Sequence, residues 1–210
     1  MEKISLPETM LVFVCGGVAV GKTTLIKSIL PRLRDSLYVS LDAVREPMLR
    51  TPNRNNPFGP AWYFLDGPMH GLESEHYKKN VGIQSYYAML ELSANNLSAG
   101  SCVIIEGNYL SQIKMGYFQD VVIPFLKLKG LAPKMKMLFV YADKETMAKR
   151  IKERNAPRDA DKLESEEKLW TYLNSQDLVP KELEKIDHIK INGTSKIEDN
   201  AKKAINYLLS

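Results

Sequence analysis

The feature that most constrains this chain is a glycine-rich octapeptide that directly follows an apolar run over Met10–Cys15. The octapeptide consists of Gly16, Gly17, Val18, Ala19, Val20, Gly21, Lys22 and Thr23, and Thr24 follows it. It matches the pattern Gly-x-x-x-x-Gly-Lys-Ser/Thr and stands between a strand-like run and helix-compatible residues, which is the context this pattern requires. The glycines let backbone N–H groups turn inward around phosphate oxygens, and the N-terminus of the helix adds a partial positive charge.

We therefore predict that residues 16–24 bind a nucleoside triphosphate. Lys22 is expected to reach the β- and γ-phosphates, and the Thr23 hydroxyl is expected to ligate Mg²⁺. The alternative interpretation is a glycine-rich turn that binds no ligand.

Apolar runs recur along the chain and alternate with helical patterns. The further runs, which read as buried strands, are Leu37–Leu41, Ser101–Ile105, Met135–Ala142 and the weaker His188–Ile191. Helical spacing is followed by Ile83, Tyr87, Leu90, Ala94 and Leu97, and again by Ile197, Ala201, Ala204 and Leu208. Strands that alternate with helices predict an α/β fold with a five-stranded parallel sheet. We expect a three-layer α/β/α sandwich, built as a single domain over residues 1–210.

Composition excludes several other classes of protein. Hydrophobic residues make up 44% of the chain, which argues against disorder, and two cysteines cannot form a disulfide framework. The longest apolar run, Met10–Val20, is too short to span a membrane and is interrupted by glycines. The net charge of +4 suits a phosphate-bearing ligand but is too small to indicate a nucleic-acid partner. These features predict a cytoplasmic protein without a membrane partner.

Motifs of other P-loop classes are absent from the sequence. It contains neither the Asn-Lys-x-Asp with which GTPases read guanine nor the Leu-Ser-Gly-Gly of transporter ATPases. The third strand ends in Glu106-Gly107-Asn108 and not in the Asp-Glu of motor-type ATPases. An ATP-dependent small-molecule kinase remains.

Two carboxylates follow strands at the edge of the sheet where ligands bind in open α/β folds. Asp42 follows the second strand and is expected to accept the proton of a substrate hydroxyl, with Arg45 one turn away. Alternatively, Asp42 only caps the next helix. Glu106 ends the third strand and is expected to hold the water shell of Mg²⁺ or to bind the acceptor hydroxyl. Its alternative is an ordinary charged residue at a strand end.

An arginine-rich segment over residues 150–165 is expected to form a lid. Arg150, Arg154 and Arg158 lie at i, i+4 and i+8, so a continuous helix would align them, although Pro157 bends that path. Arginines stabilise the negative charge of a phosphoryl group in transfer, and a closed lid excludes water. The same spacing is also common on solvated helices.

A proline- and glycine-rich loop over Thr51–Gly71 is too long for a simple connection in a compact domain. It contains Phe58, Trp62, Tyr63 and Phe64, which linkers usually lack. We expect residues 45–80 to form an insertion that shapes the acceptor site.

In their order along the chain, these motifs resemble the small P-loop kinases, and this resemblance implies a P-loop, nucleoside-kinase-like fold. The motif Asp42-Ala43-Val44-Arg45 is similar to the zeta-toxin and polynucleotide-kinase-like family of AAA-type kinases, and so are the lid residues Arg150, Arg154, Arg158 and Asp159. The P-loop with Ala19 and the strand end Glu106-Gly107-Asn108 are more similar to uridine and pantothenate kinases. The first resemblance implies that Asp42 is the catalytic base and that Arg45 helps to hold the substrate. The acceptor it implies is a sugar nucleotide or a polynucleotide end, whereas the second implies a nucleoside or a vitamin.

The sequence thus predicts transfer of the γ-phosphoryl group of Mg-ATP to a hydroxyl of a small-molecule or nucleotide-like acceptor. Two rival functions stay open. A nucleoside monophosphate kinase would use Arg45, Arg50 and Arg54 to read a second phosphate. A regulatory protein would use ATP to switch the lid and the long loop. The oligomeric state is not encoded in these patterns.

Overall fold

The computed structural model describes residues 3–50, 70–71, 74–156 and 159–210. Five strands form one parallel sheet in the order β2-β3-β1-β4-β5. The strands are β1 (Met10–Cys15), β2 (Ser36–Ser40), β3 (Cys102–Glu106), β4 (Lys134–Tyr141) and β5 (His188–Asn192). All five strands expected from the apolar runs are present, and no end of a strand differs from the predicted run by more than one residue. The parallel α/β fold is therefore confirmed.

Ten α-helices surround the sheet in the part of the chain that the structure describes. They are α1 (Lys22–Ile29), α2 (Leu41–Leu49), α3 (Glu75–Asn80), α4 (Gly82–Ser98), α5 (Leu110–Lys114), α6 (Ile123–Leu128), α7 (Lys144–Arg154), α8 (Ala160–Leu163), α9 (Glu166–Ser175) and α10 (Ile197–Leu209). Helical turns that are not α-helical cover Leu30–Arg32, Phe118–Val122 and Lys181–Lys185. Among the described helices, none has the length and apolarity that a membrane span needs.

The sheet separates two apolar layers because successive side chains of a strand point to opposite faces. In β1, Met10, Val12 and Val14 pack in one layer with residues of α1, α7, α9 and α10. Leu11, Phe13 and Cys15 pack in the other layer with residues of α4, α5 and α6. Since every residue of β1 is buried, the strand reads as a continuous apolar run, as expected for the centre of a parallel sheet. The three-layer α/β/α arrangement is confirmed.

Helix α4 is present, and Leu90, Ala94 and Leu97 of the predicted apolar spacing are buried, whereas the first two residues of that spacing are not. Ile83 and Tyr87 are 68% and 50% exposed, whereas Ser85 and Ser93 are fully buried. The serines tolerate burial because their hydroxyls donate to backbone carbonyls of their own helix, at Gly82 and Met89. Small polar residues thus take positions that a simple apolar pattern assigns to larger side chains.

The register of the strands brings the functional segments to one edge. Glu106, the last residue of β3, lies opposite Val14 of β1 and Ser40 of β2. Because the strands are parallel, their carboxyl ends meet at this edge, where the P-loop and the start of α2 also lie.

Candidate active site

The P-loop joins β1 to α1 through a backbone that only certain residues can follow. Gly16 has a φ of 137°, and a β-carbon on it would lie 2.0 Å from the carbonyl oxygen of Val140. Ala19 also adopts the left-handed region, with a φ of 60°. The left-handed region costs an L residue about 1 kcal/mol or more, so the packing of the loop holds Ala19 there.

Lys22 begins α1, and its ammonium group folds back over the loop. It donates to the carbonyl oxygens of Gly16 at 2.9 Å and of Gly17 at 2.6 Å. These contacts keep a positive charge at the place where the loop would surround phosphate oxygens. Since a lysine side chain has a flexible four-carbon stem, Lys22 can exchange these carbonyls for phosphate oxygens without a change in the helix.

Glu106 accepts one hydroxyl on each of its carboxylate oxygens. Thr23 Oγ1 donates to Oε1 at 2.6 Å, and Tyr38 Oη donates to Oε2. Only 8% of Glu106 is exposed, so these donors compensate for the burial of its charge. Burial, and then the hydrogen bond to Glu106, raises the pKa of Tyr38 to about 12, so the phenol stays protonated and keeps donating near neutral pH.

Tyr38 is a site residue that the sequence analysis missed. In the sequence it is one aromatic residue within an apolar strand, which favours a core role. The sheet register supplies the missing information: Tyr38 lies opposite Ile104, two residues before Glu106, and residues two apart share a face of the strand. The strand pairing alone therefore places Tyr38 next to Glu106.

The side-chain oxygen atoms of Thr23 and Glu106 fit Mg²⁺ as ligands. Thr23 gives its proton to Glu106, which leaves the lone pairs of its oxygen available to a cation. Mg²⁺ prefers oxygen ligands, keeps several waters and is usually held by one or two protein groups together with substrate phosphates. Within the described residues there is no cluster of three or more His, Cys, Asp or Glu that would bind a metal without a phosphate ligand.

Asp42 lies in the first turn of α2 but does not cap this helix. The cap is Ser40, whose Oγ accepts from the backbone N–H of Ala43 at 3.4 Å. The Asp42 carboxylate instead forms an ion pair with Arg45, and the Asp42 side chain is 50% exposed. The guanidinium of Arg45 lies 5.9 Å from the ring centroid of Tyr77. The interpretation of Asp42 as the helix cap is thus wrong.

Arg150 connects two loops through their backbone. Its Nη1 donates to the carbonyl oxygen of Ala19 at 3.1 Å, and its Nη2 donates to that of Gly193 at 2.9 Å. The backbones of the two loops also touch, since a β-carbon on Gly193 would lie 1.8 Å from the carbonyl oxygen of Val20. In this structure, Arg150 stabilises the P-loop against the β5–α10 connection.

Arg154 is the last residue of α7 and is held by a buried carboxylate. Its Nε donates to Asp159 Oδ2 at 3.0 Å, and Lys162 Nζ donates to Asp159 Oδ1 at 3.2 Å. Asp159 is only 1% exposed. Because α7 ends at Arg154, it does not carry all three arginines, and Arg158 lies outside the described residues.

One cleft of about 2080 Å³ brings most of the predicted site residues together. Its described lining includes Val18, Ala19, Gly21, Lys22, Thr23, Thr24, Tyr38, Asp42, Arg45, Glu106, Arg150 and Arg154. Gly16, Gly17 and Val20 belong to the same loop without lining the cleft.

The acceptor side of the cleft is described only in part. Of the predicted insertion over residues 45–80, residues 51–69 and 72–73 lie outside the described residues. That range holds Arg54 and the aromatic residues Phe58, Trp62, Tyr63 and Phe64. The described part contributes Leu49, Arg50, His70 and Tyr77 to the cleft.

A family model described as an AAA domain matches residues 11–177, which is most of the chain. The chain belongs to the AAA domain family. No protein of curated function matches the sequence. The matched range includes the P-loop, Asp42, Glu106 and the arginines of the lid.

Solved structures share the fold of this AAA domain protein. A protein from Chloroflexus aurantiacus that is provisionally named a kinase is 17% identical, with a TM-score of 0.61 over 95% of this chain and 98% of that one. The tunicamycin resistance protein of Deinococcus radiodurans is also 17% identical, with a TM-score of 0.52 over 96% and 97%. Shikimate kinase from Acinetobacter baumannii, in complex with shikimate, is 18% identical, with a TM-score of 0.50 over 97% and 94%.

These similarities confirm the P-loop kinase-like fold that the sequence resemblance implied. At such low identity they establish the fold and not the acceptor. The branch within the small P-loop kinases, including the similarity to zeta toxins, stays a prediction.

Proposed function

We propose that this AAA domain protein transfers the γ-phosphoryl group of Mg-ATP to a hydroxyl of a small-molecule or nucleotide-like acceptor. The observation that carries the proposal is the shared cleft, in which the P-loop Lys22, the Thr23–Glu106 pair and the exposed carboxylate of Asp42 all lie at one edge of the sheet. Phosphoryl transfer depends mainly on positioning and electrostatic stabilisation, and these residues supply both.

Binding of the nucleotide is assigned to residues 16–24. The backbone N–H groups of the loop and the N-terminus of α1 face the phosphates, and the Lys22 ammonium transfers from the Gly16 and Gly17 carbonyls to phosphate oxygens. Thr23 and Glu106 would hold Mg²⁺, which when bound neutralises charge on the β- and γ-phosphates.

We assign to Asp42 the role of the base that takes the proton of the acceptor hydroxyl. Its carboxylate accepts the hydroxyl proton as the acceptor oxygen bonds to the γ-phosphorus, while the bond from that phosphorus to the bridging oxygen breaks and ADP leaves. Arg45 pairs with Asp42, and both residues line the cleft.

We assign to Arg154 the stabilisation of negative charge on the transferred γ-phosphoryl group. In the structure Asp159 and Lys162 fix its position at the end of α7. A closed lid excludes water and thereby limits hydrolysis of ATP.

Two of the three arginines that could read a second phosphate are paired with carboxylates of α2. Arg45 pairs with Asp42, and Arg50 pairs with Glu46 at 3.1 Å. A nucleoside monophosphate kinase would need these guanidiniums for its acceptor, and each would first have to leave a carboxylate on its own helix.

The proposal is tested with γ-³²P-labelled ATP, Mg²⁺ and separate pools of acceptors. One pool holds hydroxyl compounds: nucleosides, sugar nucleotides, vitamins, aminoglycosides, 5′-hydroxyl oligonucleotides, shikimate and tunicamycin. The other pool holds nucleoside monophosphates. Label in the hydroxyl pool supports the proposal, and label in the other pool supports a nucleoside monophosphate kinase. ATP binding without labelling, together with a protein partner that distinguishes ATP from ADP, supports the regulatory switch.

A further inference from the structure

Tyr38 contacts a group assigned to Mg²⁺, but none of its own atoms is assigned to nucleotide or acceptor. Its hydroxyl donates to Glu106 Oε2, while Thr23 donates to Oε1 at 2.6 Å. The two oxygens of one carboxylate thus have different hydroxyl partners, one from β2 and one from α1.

The position of Tyr38 is determined by the sheet. It lies in β2, which pairs with β3 from Ser36–Cys102 to Ser40–Glu106. Its ring is half-buried and packs against the apolar layer that contains Val12, Val14 and Ile104. The Tyr38 hydroxyl is therefore held by a strand and not by a loop. It can keep its hydrogen bond to Glu106 in one direction.

The orientation of Glu106 depends on having both donors. Each carboxylate oxygen can accept more than one hydrogen bond, and a carboxylate with a single donor can rotate about its terminal torsion, which is broad. Donors on both oxygens restrict that rotation. Because Oε1 is the partner of Thr23, the rotation of Glu106 determines how the Thr23 hydroxyl is oriented.

We propose that Tyr38 is a positioning residue that orients Glu106 toward Thr23 and so sets the Mg²⁺ affinity of the nucleotide complex. The inference rests on the proposed function, since that function assigns Thr23 and Glu106 to the cation. Groups that orient metal ligands from outside the coordination shell commonly change metal affinity about 10- to 100-fold when they are removed.

The test separates binding of the cation from binding of the nucleotide. A fluorescent ATP analogue is titrated onto the full chain without divalent cation, and Mg²⁺ is then titrated at a fixed concentration of the analogue. For Tyr38→Phe we expect the half-saturating Mg²⁺ concentration to rise about 10-fold. The affinity for the cation-free analogue is expected to stay within about 2-fold, because the Tyr38 hydroxyl donates to Glu106 and not to the P-loop backbone.

Two further variants make the result specific. Tyr87→Phe removes a phenol from a half-exposed position on α4 and is expected to leave the Mg²⁺ titration unchanged. Glu106→Ala removes the partner of Tyr38, so Tyr38→Phe is expected to have no further effect in the Glu106→Ala background.

Three results would overturn the inference. The first is a wild-type Mg²⁺ titration in Tyr38→Phe. The second is an equal loss of affinity with and without Mg²⁺, which would show a structural role. The third is a full additional effect of Tyr38→Phe in the Glu106→Ala background. Because these titrations need no acceptor, a protein that shows the expected Mg²⁺ behaviour but phosphorylates nothing contradicts the proposed function alone.

Discussion

The carboxylate of Asp42 pairs with the guanidinium of Arg45 one turn further along α2, while Ser40 caps that helix. Ser40 therefore supplies the helix cap, and Asp42 supplies a carboxylate that pairs with Arg45. Half of the Asp42 side chain is exposed, and the residue lines the cleft. Asp42 thus contributes a carboxylate to the wall of the cleft.

Asp42→Asn is expected to lower phosphoryl transfer by about 100-fold or more, because a general base contributes about 10²–10⁴-fold. ATP affinity should stay within about 2-fold, since Asp42 lies outside the P-loop. The measurement compares turnover with nucleotide binding. The matched control is Glu46→Gln on the same helix, which removes the partner of Arg50 and should leave turnover within a few-fold of wild type. Wild-type turnover by Asp42→Asn would contradict the assignment of Asp42 as the base.

Lys22→Ala is expected to abolish transfer and to weaken ATP binding about 10- to 100-fold, the cost of losing hydrogen bonds to a charged group. The reason is that its ammonium is the charged group held over the P-loop carbonyls. Calorimetric titration with ATP measures the affinity. Lys27→Ala, on the exposed side of the same helix, serves as the control and should bind ATP normally. Unchanged ATP affinity in Lys22→Ala would contradict the assignment of the nucleotide site.

Local patterns were sufficient to predict the sheet and the P-loop. The strands are short apolar runs, and β1, β3 and most of β4 are buried as those runs predict. The edge strands β2 and β5 are mostly only partly buried, because each has a neighbouring strand on one side alone. The octapeptide carries its own backbone requirements at Gly16 and Gly21. The α4 face was predicted wrongly at Ile83 and Tyr87, because the pattern counts apolar residues and ignores serines that satisfy their hydroxyls within the helix.

Arg150→Lys is expected to weaken ATP binding about 5-fold, the effect of losing one hydrogen bond of about 1 kcal/mol. A lysine has one point charge and cannot bridge the Ala19 and Gly193 carbonyls as the planar guanidinium does. ATP titration and thermal melting measure the effect. Lys149→Met changes an exposed neighbour on α7 and should affect neither quantity. Normal ATP affinity with slow transfer in Arg150→Lys would instead show a direct role at the γ-phosphoryl group.

Gly193→Ala is expected to destabilise the protein by about 2 kcal/mol, within the usual cost of overpacking. The new β-carbon would lie 1.8 Å from the backbone oxygen of Val20, so one of the two loops must move. At this chain length the melting temperature should fall by about 4–8 °C. Gly82→Ala is the control, because its nearest contact would be an ordinary 3.5 Å and its position is helical. Equal melting temperatures in the two variants would contradict the close approach of the loops.

Partners across the fold could not be predicted from the sequence. The spacing of Arg150 and Arg154 indicates a shared helix face, but the partners of Arg150 lie 131 and 43 residues away in the chain. Tyr38 likewise meets Glu106 across a separation of 68 residues, through the pairing of β2 with β3. Such contacts depend on register and loop packing, which no local pattern contains.

The most direct test of the central claim is the nature of the bond formed. Product is made from ATP, Mg²⁺ and the pooled hydroxyl compounds by the wild-type chain and by Asp42→Asn, and is analysed by ³¹P nuclear magnetic resonance. The account predicts a phosphomonoester resonance in the wild-type reaction that is lost in Asp42→Asn. A phosphoanhydride product from the nucleoside monophosphate pool, or a phosphomonoester formed equally by Asp42→Asn, would contradict it.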